Sequence, residues 1–125
     1  MGQGLALGRG IVVSSPGSVE LAEEALDPRS VVAGSPRTSA GVIASAKLPG
    51  GETLEAGVWR CSEGQVTDVE VDEVFVVLSG RATIEHEGSV HQVGAGDVCV
   101  LPRGARTRWT VHESLTKVFV TAEPA

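Results

Sequence analysis

The sequence predicts an all-β protein of a single domain, and three features indicate this. Twenty valines and eight threonines favour strands, because a branched β-carbon packs well on a pleated surface and loses rotamer freedom in a helix. Sixteen glycines and six prolines supply tight turns. Short apolar runs recur at intervals of about 8 to 12 residues, which is typical of a sandwich or closed barrel. The length of 125 residues fits one core.

Residues 1–30 are expected to form an N-terminal arm, and residues 31–125 the barrel. The first 17 residues are rich in glycine and serine, which indicates a loop. One short apolar stretch within it, Ile11 to Val13, can add an edge strand.

A short helix is predicted over Ser18 to Leu26. Ser18 can cap it, and Glu20 and Glu23 lie in its first turns, where the helix dipole favours acids. Pro28 then ends it.

Residues 31–38 form a turn-rich connector in this interpretation, and short strands dominate from Gly41 onward. Breakers such as Ser79-Gly80 and Pro102-Arg103-Gly104 separate the strands. The seven predicted strands are Ala56 to Arg60, Val74 to Leu78, Arg81 to His86, Val90 to Val93, Val98 to Leu101, Thr107 to Val111 and Lys117 to Thr121.

The net charge of −6 argues against nucleic acid or an anionic membrane as a partner, because both are polyanions. No apolar run approaches the roughly 20 residues that span a bilayer. Cys61 and Cys99 lie far apart and outside any paired motif, so two reduced thiols are expected. We therefore expect a cytoplasmic protein.

Two blocks of sequence carry a family resemblance. Glu73 is followed after six residues by Gly80, and Gly96 is followed after five residues by Pro102 and then Gly104. These spacings resemble the two halves of the cupin signature. Gly57-Val-Trp59, Lys117-Val-Phe119 and Gly104 to Trp109 are similar to the subfamily of ureidoglycine aminohydrolase domains and the ethanolamine-utilisation Q protein. The resemblance covers about residues 31–121.

This resemblance implies a cupin-like double-stranded β-helix, a jelly-roll barrel that is usually a homodimer and holds a small molecule in its mouth. Metal-binding cupins carry histidines where this chain has Thr67, Val69 and Thr107, or Val66 and Asp68 with the longer spacing. Of the four ligand positions only Glu73 remains. One carboxylate and neutral hydroxyls make a poor transition-metal shell, so no metal and no other cofactor is expected.

Glu73 and Lys117 are the candidate catalytic residues. A desolvated carboxylate needs a partner or a raised pKa, and the resemblance places Lys117 on a strand near the pocket. The pair can act as general base and acid, or it can simply neutralise itself in the core. The sequence leaves both interpretations open.

Four residues are candidates for ligand contact: Trp59, Phe75, Thr107 and Trp109. Thr107 and Trp109 share parity on one strand, so both can face the barrel interior while Arg106 and Arg108 face outward. Core packing is the simpler interpretation of the two tryptophans, and walls for a planar or apolar ligand part are the alternative.

The remaining reactive side chains are assigned no site. Solvent exposure is the expectation for His86 and His91 beside the turn at Gly88, and His112 lies outside the cupin ligand positions. Cys99 has no flanking His or Lys that would depress its thiol pKa. Arg103 joins Arg106 and Arg108 in an exposed basic edge.

Two functions follow from these residues. The first is a small-molecule-binding cupin with a metal-free pocket and a polar or carboxylate-bearing ligand. The alternative is an isomerase, lyase or hydrolase that uses Glu73 and Lys117 for acid–base chemistry. Fold alone does not choose between them.

Overall fold

A computed structural model describes residues 10–125 of the chain. It is built almost entirely of antiparallel strands, with two single-turn 3-10 helices at Pro16–Ser18 and Pro28–Ser30. The strands are β1 (Ala22–Glu24), β2 (Val31–Ala33), β3 (Thr38–Lys47), β4 (Thr53–Cys61), β5 (Gly64–Val69), β6 (Asp72–His86), β7 (Ser89–Gly94), β8 (Val98–Leu101) and β9 (Arg106–Glu123).

Two long strands, β6 and β9, join the two halves of one curled sheet. The second half of β9 pairs with β4, and its first half pairs with β5. The first half of β6 pairs with β8, and its second half pairs with β7. Because β6 and β9 also pair with each other along most of their length, each half of the sheet continues into the other and curls around a shared interior. This is the cupin-like jelly-roll architecture that the sequence predicts.

The bend in β6 lies at Gly80. The pairing of β6 with β9 shifts register between Val77 and Ala82, and Gly80 has a φ of +84° in the middle of this irregular stretch. A Cβ at Gly80 would lie 2.1 Å from the carbonyl oxygen of Ser114 on β9. The residue therefore meets two demands that only glycine satisfies: a left-handed backbone and a close approach of two strands.

The core lies inside the curl, and both long strands contribute alternate residues to it. Ala82 and Ile84 are buried, whereas Glu85, on the other face of the strand, is exposed, because successive side chains of a strand point to opposite faces. The buried cluster consists of Cys61, Val66, Phe75, Val77, Ala82, Ile84, Val93, Leu101, Trp109, Val111, Leu115 and Phe119.

All seven predicted strand segments are confirmed, but two predicted breaks are wrong. Ser79-Gly80 does not separate two strands, because the glycine lets one 15-residue strand bend instead. The segment between Val111 and Lys117 continues as strand because its residues pair with β6 and β4. Four strands outside the seven segments, β1, β2, β3 and β5, complete the sheet.

The predicted helix over Ser18 to Leu26 is wrong. The segment begins in the turn at Pro16–Ser18 and continues into β1, whose Ala22 to Glu24 pair with Ala40 to Thr38 of β3. An isolated helix of nine residues is marginal in water, whereas the open edge of β3 offers backbone hydrogen-bonding partners. The edge therefore determines the local structure.

Ile11 to Val13 adds no edge strand, since these residues lie outside regular structure with exposed side chains. The part of the expected loop before Gly10 lies outside the described residues. Within residues 10–125, no helix has the length and apolar character needed to cross a bilayer.

We predict that Gly80→Ala destabilises the protein more than Gly88→Ala, which serves as a matched control. Gly88 has a similar φ of +80°, but a Cβ there meets nothing within 4 Å. Left-handed backbone costs a non-glycine residue about 1–2 kcal/mol, so Gly88→Ala should lose about that much free energy of unfolding. Gly80→Ala adds a clash with strand β9, and urea denaturation should show a clearly larger loss. Equal losses would contradict the close approach of the two strands.

Candidate functional site

An open cavity of about 1380 Å³ lies on the concave side of the sheet. Its wall includes residues of β3, β4, β5, β6 and β9, together with the arm segment from Glu24 to Ser30. The arm thus forms part of the cavity wall. The site residues predicted from the sequence can be compared directly with this wall.

Glu73 and Lys117 form a buried ion pair in the cavity. Lys117 Nζ lies 2.7 Å from Glu73 Oε2, and only 7% and 9% of the two side chains are exposed. The residues project from β6 and β9, whose inward-facing positions include Phe75 and Phe119, a directly opposed pair. The structure therefore brings together the two predicted catalytic candidates.

The ion pair leaves one buried acceptor without a hydrogen bond of standard geometry. Glu73 Oε2 accepts none from the residues that the structure describes, although Lys117 Nζ is within ion-pair distance. The short distance establishes a contact between opposite charges, and the oxygen has almost no accessible surface. Lys117 is therefore the group that compensates the burial of this oxygen.

Three aromatic rings surround the ammonium group of Lys117. Its Nζ lies 4.6 Å from the ring centroid of Trp59, 4.4 Å from that of Phe75 and 4.9 Å from that of Trp109. Trp109 also contacts the other two rings, with centroid distances of 5.9 Å to Trp59 and 5.6 Å to Phe75. The negative faces of aromatic rings stabilise a desolvated cation, so the rings and Glu73 together compensate for the burial of Lys117.

The four predicted ligand contacts do not occupy equivalent places. Trp59, Thr107 and Trp109 line the cavity. Phe75 is 1% exposed and does not line it, so its contacts are with Lys117 and Trp109 rather than with the cavity space. Arg106 and Arg108 are exposed, as the strand parity predicts.

Glu70 is a site residue that the sequence analysis missed. It is 7% exposed, and its Oε2 accepts hydrogen bonds from the Thr107 hydroxyl at 2.7 Å and the Trp109 indole N–H at 3.1 Å. The backbone N–H of Glu70 donates to Ala105 and its carbonyl accepts from Gly104. The sequence around Glu70 is rich in acidic residues, and no pattern in it marks this carboxyl as buried. Glu70 directly follows β5, a strand that the sequence analysis did not predict.

Asp68 is the third carboxyl group of the cavity wall near Lys117. Burial of the carboxyl raises its pKa, and the nearby Glu70 raises it further, while the backbone N–H of Val69 and the charge of Lys117 oppose the shift. Asp68 has an exposed surface, yet the carboxyl itself sits among protein atoms and other acids. Burial is thus the main cause of the raised pKa of Asp68, and the neighbouring acids Glu70 and Glu73 add to it.

The cysteines and histidines do not line this cavity. Cys61 is buried, and desolvation raises its pKa to about 11; burial also raises the pKa of Cys99. Neither thiol has the depressed pKa of a nucleophile. His86 contacts the carbonyl of Arg106, and His112 contacts the hydroxyl of Thr83.

The donor set does not fit a transition metal at the cupin ligand positions. Val69 has no donor atom in its side chain, and the Thr107 hydroxyl donates to Glu70. Glu73 is held by an ammonium group that would repel a metal cation. Among residues 10–125, no three His, Cys, Asp or Glu side chains gather into a metal-binding group.

Comparisons with known proteins agree with the fold. The family model described as the EutQ-like cupin domain matches residues 49–119. The EutQ protein of Clostridium difficile superposes with a TM-score of 0.59 at 17% identity, covering 71% of this chain and 70% of that one. A Salmonella typhimurium LT2 structure described as an ethanolamine utilization protein Q gives 0.59 at 22% identity, covering 71% of each chain.

A eukaryotic structure has the same architecture. The cupin domain of Cnp3 from Schizosaccharomyces pombe gives a TM-score of 0.64 at 15% identity, covering 90% of this chain and 74% of that chain. No curated protein matches the chain. At these identities the structural likeness establishes the fold.

We predict that Lys117→Met destabilises the protein by about 3–5 kcal/mol, because it leaves Glu73 buried and uncompensated. The double variant Lys117→Met, Glu73→Gln should regain much of this loss, since it removes both charges. Urea denaturation of the two single variants and the double variant gives the coupling free energy. Lys47→Met, at an exposed position on β3, is the control and should stay within about 0.5 kcal/mol. Simple additivity of the two single variants would contradict a coupled pair.

Proposed function

Because the chain belongs to the family of EutQ-like cupins, we propose that it binds a small polar molecule in the cavity that contains the Glu73–Lys117 pair. The observation that carries this proposal is the ion pair itself: two oppositely charged, nearly buried groups on the wall of an open cavity. Binding pockets combine apolar walls with a few oriented polar groups, and here the walls are Trp59 and Trp109.

The polar ligand class has stronger support than a carboxylate-bearing one. A ligand carboxylate would need Lys117, and Lys117 already contacts Glu73 and three aromatic rings. Polar groups of a neutral ligand can instead hydrogen-bond to exposed polar groups of the cavity wall, such as the carboxyl of Asp68, without displacing a contact of the ion pair. The proposed pocket is metal-free, in keeping with the donor set at the cupin ligand positions.

The alternative function is an enzyme that uses the same pair for acid–base chemistry. A carboxylate 2.7 Å from an ammonium group can take a proton from a substrate while the ammonium stabilises the negative charge that develops. An isomerase, lyase or hydrolase step would suit such a pair. Glu73 would then be the base, and Lys117 the acid or the electrostatic stabiliser.

A thermal-shift screen against a panel of small metabolites tests the binding proposal. A ligand at 100 times its Kd stabilises the folded protein by about 2.7 kcal/mol, which gives a clear rise in Tm. Trp59→Ala should weaken the same ligand, since it removes a cavity wall, whereas Glu85→Gln on the outer surface should not. A panel without any hit, at any ligand charge, would contradict the proposal.

The Glu73→Gln variant separates the two functions. For a binding protein we expect weaker affinity and no product with wild type or variant. Loss of turnover with unchanged affinity would instead establish the enzyme.

We also propose a homodimer that forms through an apolar face on the outside of the sheet. Six outward valines, here called the valine face, align across β8, β6 and β9: Val98, Val100, Val74, Val76, Val118 and Val120. Val98 and Val100 on β8 are 68% and 69% exposed, and among the strands of residues 10–125 β8 pairs only with β6, so that none of these strands covers its other edge. Apolar faces and open edges of this kind favour association with another chain.

A second copy of the chain is the proposed occupant of the valine face. The exposed apolar residues Ile11 to Val13 support a contribution from the arm.

The two cysteines are free, which supports a cytoplasmic location because thiols persist in a reducing compartment.

Light scattering at micromolar concentration should give the mass of a dimer for the wild type. Val100→Asp buries a charge in the proposed interface and should give a monomer. Val90→Asp is the matched control, because Val90 is 59% exposed on β7, outside the valine face. A monomeric wild type, or equal effects of the two variants, would overturn the proposed interface.

A further inference from the structure

Six residues of the arm connect two opposite edges of the sheet. The strand order β1-β3-β4-β9-β5-β2 places β1 and β2 at the two ends of the series. These strands are nevertheless neighbours in the chain, because β1 ends at Glu24 and β2 begins at Val31. The connecting residues 25–30, here called the strap, therefore bridge the two edges, and five of the six line the cavity.

The ion pair and Trp109 are nearly inaccessible in this structure. The side chains of Lys117 and Glu73 are 7% and 9% exposed, and Trp109 is 4% exposed. All three nevertheless line the cavity. A ligand that contacts them therefore needs a part of the cavity wall to move, as in binding sites that a loop or lid covers.

The strap is the part of the wall that lies outside the hydrogen-bonded sheet. Apart from Glu70, every wall residue beyond the strap lies on a strand. Glu70 is held instead by backbone hydrogen bonds with Gly104 and Ala105. Movement of these residues would break backbone hydrogen bonds of the barrel, which leaves the strap as the candidate for the moving part.

The strap is attached to the barrel at few points between its ends. Among the residues that the structure describes, 26–29 form no hydrogen bond with the barrel, and the carbonyl of Ser30 accepts one from the Thr67 hydroxyl at 3.3 Å. The side chain of Leu26 is half-buried and packs against the buried cluster. Segments with so few contacts open at a low free energy.

Polar groups of the strap are satisfied within the strap itself. The Asp27 carboxylate accepts a hydrogen bond from the backbone N–H of Arg29 at 2.9 Å and pairs with its guanidinium group. The backbone carbonyl of Asp27 accepts from the backbone N–H and the hydroxyl of Ser30. Because these bonds are internal, the turn can keep them while Leu26 leaves the cluster.

We infer that the strap is the gate of the cavity: it lifts when Leu26 leaves the buried cluster, admits a ligand to the Glu73–Lys117 pair and then closes over it. The pairing of β1 with β3 and of β2 with β5 fixes the two ends of the strap, so the gate moves between two anchored hinges. The inference rests on the proposed binding function and adds how the site is reached.

Tryptophan fluorescence measures this opening without any ligand, because both tryptophans of the chain line the cavity. In a Trp59→Phe host, Trp109 is the remaining tryptophan, and acrylamide is a small neutral quencher that must enter the cavity to reach it. Leu26→Ala in this host should raise the rate constant of quenching about threefold or more, since a weaker contact increases the population of the open strap.

Leu48→Ala in the same host is the matched control. Leu48 is half-buried like Leu26, but it lies in the turn between β3 and β4 and does not line the cavity. This variant should lower the free energy of unfolding and leave the quenching of Trp109 unchanged.

Thr67→Val gives a second, milder opening of the strap. It removes the hydrogen bond to the carbonyl of Ser30 from an exposed position on β5, so it keeps the test valid if Leu26→Ala fails to fold. Quenching of Trp109 should rise by a smaller factor than in Leu26→Ala.

Unchanged quenching in the folded strap variants, or an equal rise in Leu26→Ala and Leu48→Ala, would overturn the gate. Neither result depends on a ligand, so both differ from a failure of the proposed function, which requires that the metabolite panel yields no hit. A hit in that panel together with unchanged quenching would keep the binding function and reject the gate.

Discussion

The contact between Lys117 and Glu73 is the constraint on which the interior of this protein depends. A buried ammonium or carboxylate loses its hydration, and the effective cost is several kcal/mol for each ion unless the protein provides compensation. Here the compensation comes from the ion pair and from three aromatic rings within 5 Å of Nζ. The chain contains only two tryptophans, two phenylalanines and no tyrosine, so three of its four aromatic side chains contact this one ammonium group.

The pairing of the two long strands is what brings the two charged groups together. Glu73 lies near the start of β6 and Lys117 in the second half of β9, and the pairing of these strands places both on the concave face. The bend at Gly80 then carries the rest of β6 toward β7, so that Ile84 and Ala82 close the core behind Trp109.

Features that neighbouring residues determine could be predicted from the sequence, whereas features that depend on contacts between distant segments could not. The strand segments and the inward parity of Thr107 and Trp109 follow from local alternation. The pairing of Glu73 with Lys117 follows from the need of a desolvated charge for a partner, together with the family resemblance that places Lys117 near the pocket. The prediction of a helix over Ser18 to Leu26 was wrong because part of this segment pairs with the edge of β3, which lies further along the chain. Local propensity contains no information about such an edge.

Glu70 shows the same limit at the site itself. Its burial depends on hydrogen bonds from Thr107 and Trp109, 37 and 39 residues away, and on backbone contacts with Gly104 and Ala105. Nothing in the run Asp68 to Glu73 distinguishes this carboxyl from its exposed neighbour Asp72. The sequence analysis therefore identified the acid that pairs with Lys117 and missed the acid that is held by the neutral donors of Thr107 and Trp109.

A built-in cation gives this cavity a different chemistry from that of a metal site. An ammonium group attracts negative charge and donates hydrogen bonds, but it has no vacant orbital and so cannot coordinate a substrate oxygen as a Lewis acid does. Because Lys117 is covalently part of β9 and enclosed by rings, its charge stays at one place relative to Glu73. The polar groups of the cavity can therefore orient a ligand, attract its charge or move a proton, and these are the capacities on which both the binding function and its enzymatic alternative draw.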